Sequence, residues 1–418
     1  MISIRKTTIN FLFVCFAFLF LPIITSAQEY VCDCKTDLEF LDQKVKKSPA
    51  YKRNKEAYSK AYEKLAERTS AETSIFDCYI ILNELLLSIN DNHSRVYGID
   101  KGATPEVTPD SMAYAEFKKS ETNTLYPILK VDLDSLETIL ESKDVNDIVG
   151  VYTYKEQLKI GVVKEENSDN FKVVILDTNE DIWQKGEVMS TLIPYGDNLL
   201  LNVGGNPSTK RLIAYSERIE DGVFKYIGFT KNNDHVHFAN DLPTEETYFK
   251  EEINENITYL RLGSFSGWNP TLGQAEKFYR EIKGTLTKPN LIVDLRNNSG
   301  GGDRNSDIIL KQLKSYSKKN AIFVLINHRT VSNAEHFTLK LAKLKNTTIL
   351  GNPSNGTAAY EVKNSTFNLP SGKFVTVLTS KLHSKYLDIE SKGIIPDVVL
   401  DSGSDWIEQT VEYINGKK

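Results

Sequence analysis

Ser332 stands where an apolar run meets a helical pattern, in Ala321-Ile-Phe-Val-Leu-Ile-Asn-His-Arg-Thr-Val-Ser-Asn-Ala-Glu335. A hydroxyl at the start of a helix sits at the positive end of the helix dipole, where a developing oxyanion is stabilised. The backbone N–H of Asn333 points the same way, so a nucleophile here would suit acyl transfer. The same four residues, Ser332-Asn-Ala-Glu335, also make a Ser-x-x-Glu capping box. Capping accounts for this segment when it is read alone, and the two roles are compatible.

A second segment, Leu291-Ile-Val-Asp-Leu-Arg-Asn-Asn-Ser-Gly-Gly-Gly302, ends an apolar run in glycines. Gly300 and Gly301 can turn their N–H groups toward a ligand, as an oxyanion requires. A tight turn explains the glycines equally well. The Walker and Gly-x-Gly-x-x-Gly spacings are both missing, which argues against nucleotide binding. Asp294 and Arg296 read as structural ties at the strand end.

A serine nucleophile needs a base within reach. Six histidines are present, and His93, His328 and His336 are the ones to weigh. His93 follows the helix stop Asn90-Asp-Asn and alone reads as a loop residue. His328 and His336 flank Ser332, and either could serve as its base. His336 lies one turn into the Ser332 helix, where a solvated face is its plain reading. Glu390 alone reads as an exposed carboxylate.

Taken in order, four motifs are more specific than any one of them. Asp294-Leu-Arg-Asn-Asn-Ser-Gly-Gly301 comes first, then Thr330-Val-Ser-Asn-Ala-Glu335, then Gly351-Asn-Pro-Ser-Asn-Gly356, then Ile389-Glu-Ser-Lys-Gly-Ile-Ile-Pro-Asp397. Over about residues 245–402 the chain resembles the C-terminal processing (tail-specific) peptidases and the related tricorn-type serine peptidases. The resemblance implies a crotonase/ClpP-like α/β core with Ser332 as nucleophile.

One catalytic arrangement in that family pairs the serine with a lysine. Here Thr357 holds the matching position, the next lysine is Lys363, and Asn352 replaces the usual glutamate. The tricorn-type arrangement uses a histidine from an N-terminal segment and a late glutamate. Ser88-Ile-Asn-Asp-Asn-His-Ser94 resembles that histidine element, with Asn92 in place of a serine, and Glu390 matches the glutamate. The resemblance therefore implies Ser332, His93 and Glu390 as catalytic residues, with Glu390 orienting His93. Gly300 or Gly301, together with Asn333, would form the oxyanion hole. It implies no metal or organic cofactor, and a peptide or unfolded protein as substrate. The rival reading is a catalytically inactive peptide-binding protein of the same fold; a third is an ester hydrolase using the same residues.

These residues must be positioned by the rest of the chain. Residues 1–27 read as a signal peptide: Arg5 and Lys6, then an apolar run, then small residues ending at Ala27. Removing 27 of 418 residues leaves 391 and takes the net charge from −5 to −7. Such a protein is expected to be periplasmic or secreted, with no membrane span after cleavage. Its mild acidity argues against nucleic acid as a partner. Residues 28–100 read as a helical domain and 101–144 as a connector with a short helix near 135–142. Residues 145–235 read as a small antiparallel β-barrel or sandwich. Strand–helix alternation over 245–418 predicts an α/β core with its active edge at the strand C-termini.

Three cysteines remain in the mature chain, Cys32, Cys34 and Cys78. In an oxidising compartment Cys78 is expected to pair with Cys34 or Cys32. Pro370-Ser-Gly-Lys373 marks a late hairpin, beside which a peptide substrate is expected to add as a strand, near residues 365–381.

Overall fold

The computed structural model describes residues 30–99, 112–154, 157–179, 182–196, 198–231, 238–363 and 365–416. The expected signal peptide lies outside the described residues. Among these, no helix is long and apolar enough to cross a membrane.

The C-terminal α/β unit is built on a six-stranded sheet. Its order is Tyr248–Glu252, Ile257–Leu262, Asn290–Asp294, Ala321–Ile326, Thr347–Gly351 and Val398–Val399. The first pair is antiparallel and the rest are parallel. The two central strands, Asn290–Asp294 and Ala321–Ile326, carry unbroken apolar runs because helices cover both faces. Leu291, Val293, Ile322 and Val324 pack with helices Thr271–Glu281, Asp303–Tyr316 and Asn333–Ala342. Ile292, Phe323 and Leu325 pack on the opposite face with Trp406 and Ile414 of helix Trp406–Gly416. The strand end is tied by Arg296, whose Nε and Nη2 donate to Asp294 and whose Nη1 donates to the Phe238 and Asp241 carbonyls.

The second sheet also has six strands, all antiparallel and in chain order: Gly150–Tyr154, Leu158–Lys164, Phe171–Thr178, Val188–Tyr195, Leu199–Gly205 and Leu212–Glu217. The expected barrel is not formed, because no ladder joins the last strand to the first. Among the described residues, the isolated bridges Thr153–Thr230 and Val223–Thr230 lie at the gap. The cause is local. The N–H groups of Tyr226 and Ile227, which a longer closing strand would offer to a neighbour, donate instead to the buried Glu217 carboxylate.

Helices Cys34–Val45, Pro49–Arg53, Lys55–Ala66 and Ile75–Leu87 make up most of the N-terminal segment, with Cys34 bonded to Cys78. Their apolar residues share one cluster with the antiparallel sheet and with Leu369, Phe374 and Leu378 of the late hairpin. The expected connector holds three helices, Met112–Lys118, Glu121–Thr124 and Leu133–Glu141.

Strand Arg95–Gly98 has no counterpart in the sequence reading. It pairs antiparallel with Phe374–Val377, which in turn pairs with Thr366–Asn368. The hairpin edge at Phe374–Val377 is thus covered by the chain itself, so an incoming peptide cannot add there. The substrate strand expected beside the hairpin is corrected at Phe374–Val377, which is the central strand of this sheet, with Thr366–Asn368 and Arg95–Gly98 at its two edges.

Candidate active site

Ser332 has φ +58° and ψ −119°, far from the extended conformation usual at a helix N-cap. A serine at positive φ is strained and persists only where its surroundings hold it. The Ser332 N–H donates to Glu335 Oε2 at 2.9 Å, and Val331 N donates to Asn298 O at 3.0 Å. Glu335 therefore fills the part of the capping box expected of it, while the Ser332 hydroxyl turns to His93. His93 Nε2 lies 2.9 Å from Ser332 Oγ across 239 positions of sequence.

His93 reaches this position on a tightly pinned loop. Helix Ile75–Leu87 ends in a turn with Asn90 at φ +51°. Asp91 Oδ1 then accepts from the N–H groups of His93 and Ser94, and Asp91 Oδ2 accepts from Ser94 Oγ and Thr379 Oγ1. His93 Nδ1 has no hydrogen-bond partner among the described residues. Burial pushes the imidazole down to about 4; Asp91 and Glu361 oppose that shift, and Arg95 and His336 reinforce it.

Glu390 is buried, contrary to its plain sequence reading, and does not hydrogen-bond the His93 ring. Its Oε1 accepts from Asn92 N at 2.9 Å, and its Oε2 from Ala358 N at 2.8 Å and Ala359 N at 2.7 Å. Glu390 was expected to orient His93; its contact with the histidine segment is to the backbone of Asn92 and not to the ring. Burial pushes the Glu390 carboxyl up to about 8, against the pull of these three donors.

The glycine loop lies against Ser332. Gly300 has φ +92°, and a Cβ there would fall 2.9 Å from Asn333 N and 3.0 Å from Ser332 Cβ. Its own N–H donates to Asn298 Oδ1 at 2.8 Å, so Gly300 is not a free oxyanion donor. The N–H groups of Gly301 and Asn333 make no hydrogen bond among the described residues. Asn333, at the first helical position, is one of the donors a helix leaves open.

The other residues singled out lie apart from this contact. His328 Nε2 is 3.2 Å from Ser216 O, and burial pushes its ring down to about 3. His336 Nε2 is 2.8 Å from Ala358 O, with its ring on Tyr386. Thr357 donates its N–H to Glu335 and its hydroxyl to Asn355, and the Asn352 amide turns to Ser402. No lysine is hydrogen-bonded to Ser332 among the described residues. Cys32, Asp37 and Cys78 have ligand atoms within 4.8 Å of one another, but Cys78 is bonded to Cys34. Sequence reasoning missed Asp91 and the contacts of Asn92. Both were read as a helix stop and as part of the histidine element, with Asn92 in place of a serine, but nothing in the sequence pointed to the contacts they make.

Residues 256–317 and 302–400, within the α/β unit, match peptidase family S41, and this match supports a serine-type peptidase. No curated protein matches the chain. Among solved structures, a peptidase from Parabacteroides merdae is 13% identical, with 92% of this chain and 98% of that one covered at a TM-score of 0.42. The photosystem II D1 C-terminal processing protease is 15% identical, with 90% and 96% covered at 0.38. The tricorn protease is 14% identical, with 92% and 37% covered at 0.43.

Proposed function

We propose that the chain is an exported serine endopeptidase that cleaves peptide bonds through an acyl-enzyme. The observation that carries this reading is the 2.9 Å contact between His93 Nε2 and Ser332 Oγ. His93, neutral at physiological pH, takes the Ser332 proton as Oγ attacks the peptide carbonyl. The oxyanion is met by the N–H groups of Gly301 and Asn333, which are open for it. The imidazolium then protonates the leaving amine, and water, activated by the same ring, hydrolyses the ester. Glu390 serves by holding the backbone of Asn92 and the Ala358–Ala359 segment in place. Peptides or unfolded proteins are the substrate class.

One observation favours the rival, a peptide-binding protein without chemistry: among the described residues His93 Nδ1 has no acceptor to steady the imidazolium. A fluorophosphonate probe separates the two, because only an activated serine labels. Labelling of the full chain that disappears in Ser332→Ala and in His93→Ala is expected. Turnover in the double variant should be little worse than in either single one. A wild-type chain that stays unlabelled while binding peptide establishes the rival.

A further inference from the structure

The antiparallel sheet and the segment just after its last strand take no part in the chemistry above, yet they reach each segment that carries a candidate catalytic residue. Next to His93, Tyr195 Oη donates to Asn92 Oδ1 at 3.1 Å. Ahead of Ser332, His328 Nε2 meets Ser216 O, and Arg329 Nε donates to Tyr226 O. Just after Glu390, Arg218 Nη2 donates to Lys392 O at 2.7 Å.

The contact at Asn92 bears most directly on the reaction. Tyr195 has one hydroxyl proton and gives it to Asn92. Its 2.5 Å contact with Ser216 Oγ must then be donated by Ser216. A relay results, from Ser216 through Tyr195 to Asn92. Arg95 Nη2 braces it, 3.3 Å from both Asn92 Oδ1 and Ser216 Oγ. Asn92 Nδ2 donates to Gly356 O at 2.9 Å, and Asn92 N donates to Glu390. Both ends of the Asn92 amide side chain are therefore held. The His93 ring has Ser332 as its hydrogen-bond partner and none at Nδ1. Its position must come from its backbone, and Asn92 is the adjoining anchor.

We propose that Tyr195 is a positioning residue, through which the antiparallel sheet sets His93 against Ser332 by way of Asn92. The sheet is then part of the catalytic scaffold. This rests on the reading of Ser332 as nucleophile and His93 as base. Misplacing a catalytic group by about 1 Å costs on the order of 100-fold in rate.

The test is the rate of fluorophosphonate labelling in the full chain for wild type, Tyr195→Phe, Asn92→Ala and the double variant. Tyr195→Phe should label roughly 10- to 100-fold more slowly while melting within a few degrees of wild type. The double variant should be no slower than Asn92→Ala, since both remove one link. Ser216→Ala, which leaves Tyr195 and Asn92 in place, should slow labelling in the same direction. Wild type that fails to label overturns the nucleophile reading itself. Wild type that labels, with Tyr195→Phe labelling equally fast or with the two effects multiplying, overturns the role of Tyr195 alone.

Discussion

The carboxylate of Glu335 holds the N–H of Ser332 with the same oxygen that accepts from Thr357 N, each at 2.9 Å. The other oxygen takes Ser354 Oγ at 2.6 Å and Gly356 N at 2.7 Å. One buried side chain thus fixes the strained serine and the loop opposite it.

Glu335→Gln keeps the shape but replaces one acceptor oxygen with an amide NH₂, which then faces two donors. Unpaired buried donors of this kind cost about 3 kcal/mol or more. The urea midpoint should fall accordingly, and the surviving folded protein should label slowly at Ser332. A midpoint and labelling rate equal to wild type would show that the four contacts are not needed.

Gly300→Ala is expected to lower kcat sharply with little change in KM. The added methyl would lie 2.7 Å from Val331 O and 2.9 Å from Asn333 N, and φ +92° disfavours any side chain. Ser332 and Asn333 must shift together, so on the proposed mechanism steady-state kinetics on a peptide ester should show the loss in kcat.

The acid limb of activity should lie well below 6.5, toward 4, in place of the ~6.5 of an ordinary histidine base. Stability follows the same sign. His93 and His328, with pKa values of about 4 and about 3, stay neutral in the fold while an unfolded chain takes up protons from 6.5 downward. Their contribution is complete above 6.5 and is lost as pH falls toward those values. A kcat/KM profile with its acid midpoint at 6.5 contradicts this.

Reduction of Cys34–Cys78, 44 residues apart, should cost about 4 kcal/mol of stability on the chain-entropy estimate. Cys32 is buried, and desolvation with Asp37 nearby pushes its thiol up to about 12, so it should resist alkylation until the chain unfolds. A non-reducing digest linking Cys32 to Cys78 would show that the pairing is otherwise.

The parallel core was legible because its strands must be apolar on both faces, as Leu291–Val293 and Ile322–Ile326 are. Ser332 was legible as a turn between such a strand and a helix. His93 and Glu390 were not distinctive as residues; the order of motifs pointed to them. A buried carboxylate satisfied by Asn92, Ala358 and Ala359 amides leaves no periodic trace, so the way Glu390 acts could not be read. Strand Arg95–Gly98 was missed because it is four residues long and its partner lies in the last quarter of the chain. Strand Val188–Tyr195 was hidden by Pro194 and by the glycine just ahead of it.

That pairing of Arg95–Gly98 with Phe374–Val377 has a consequence for a chain that emerges N-terminus first. The histidine leaves early, but the strand that steadies it and the carboxylate that grips Asn92 arrive only near residue 390. Both supports of the His93 loop therefore depend on the last tenth or so of the polypeptide, and neither can form on a ribosome-bound chain that stops short of it.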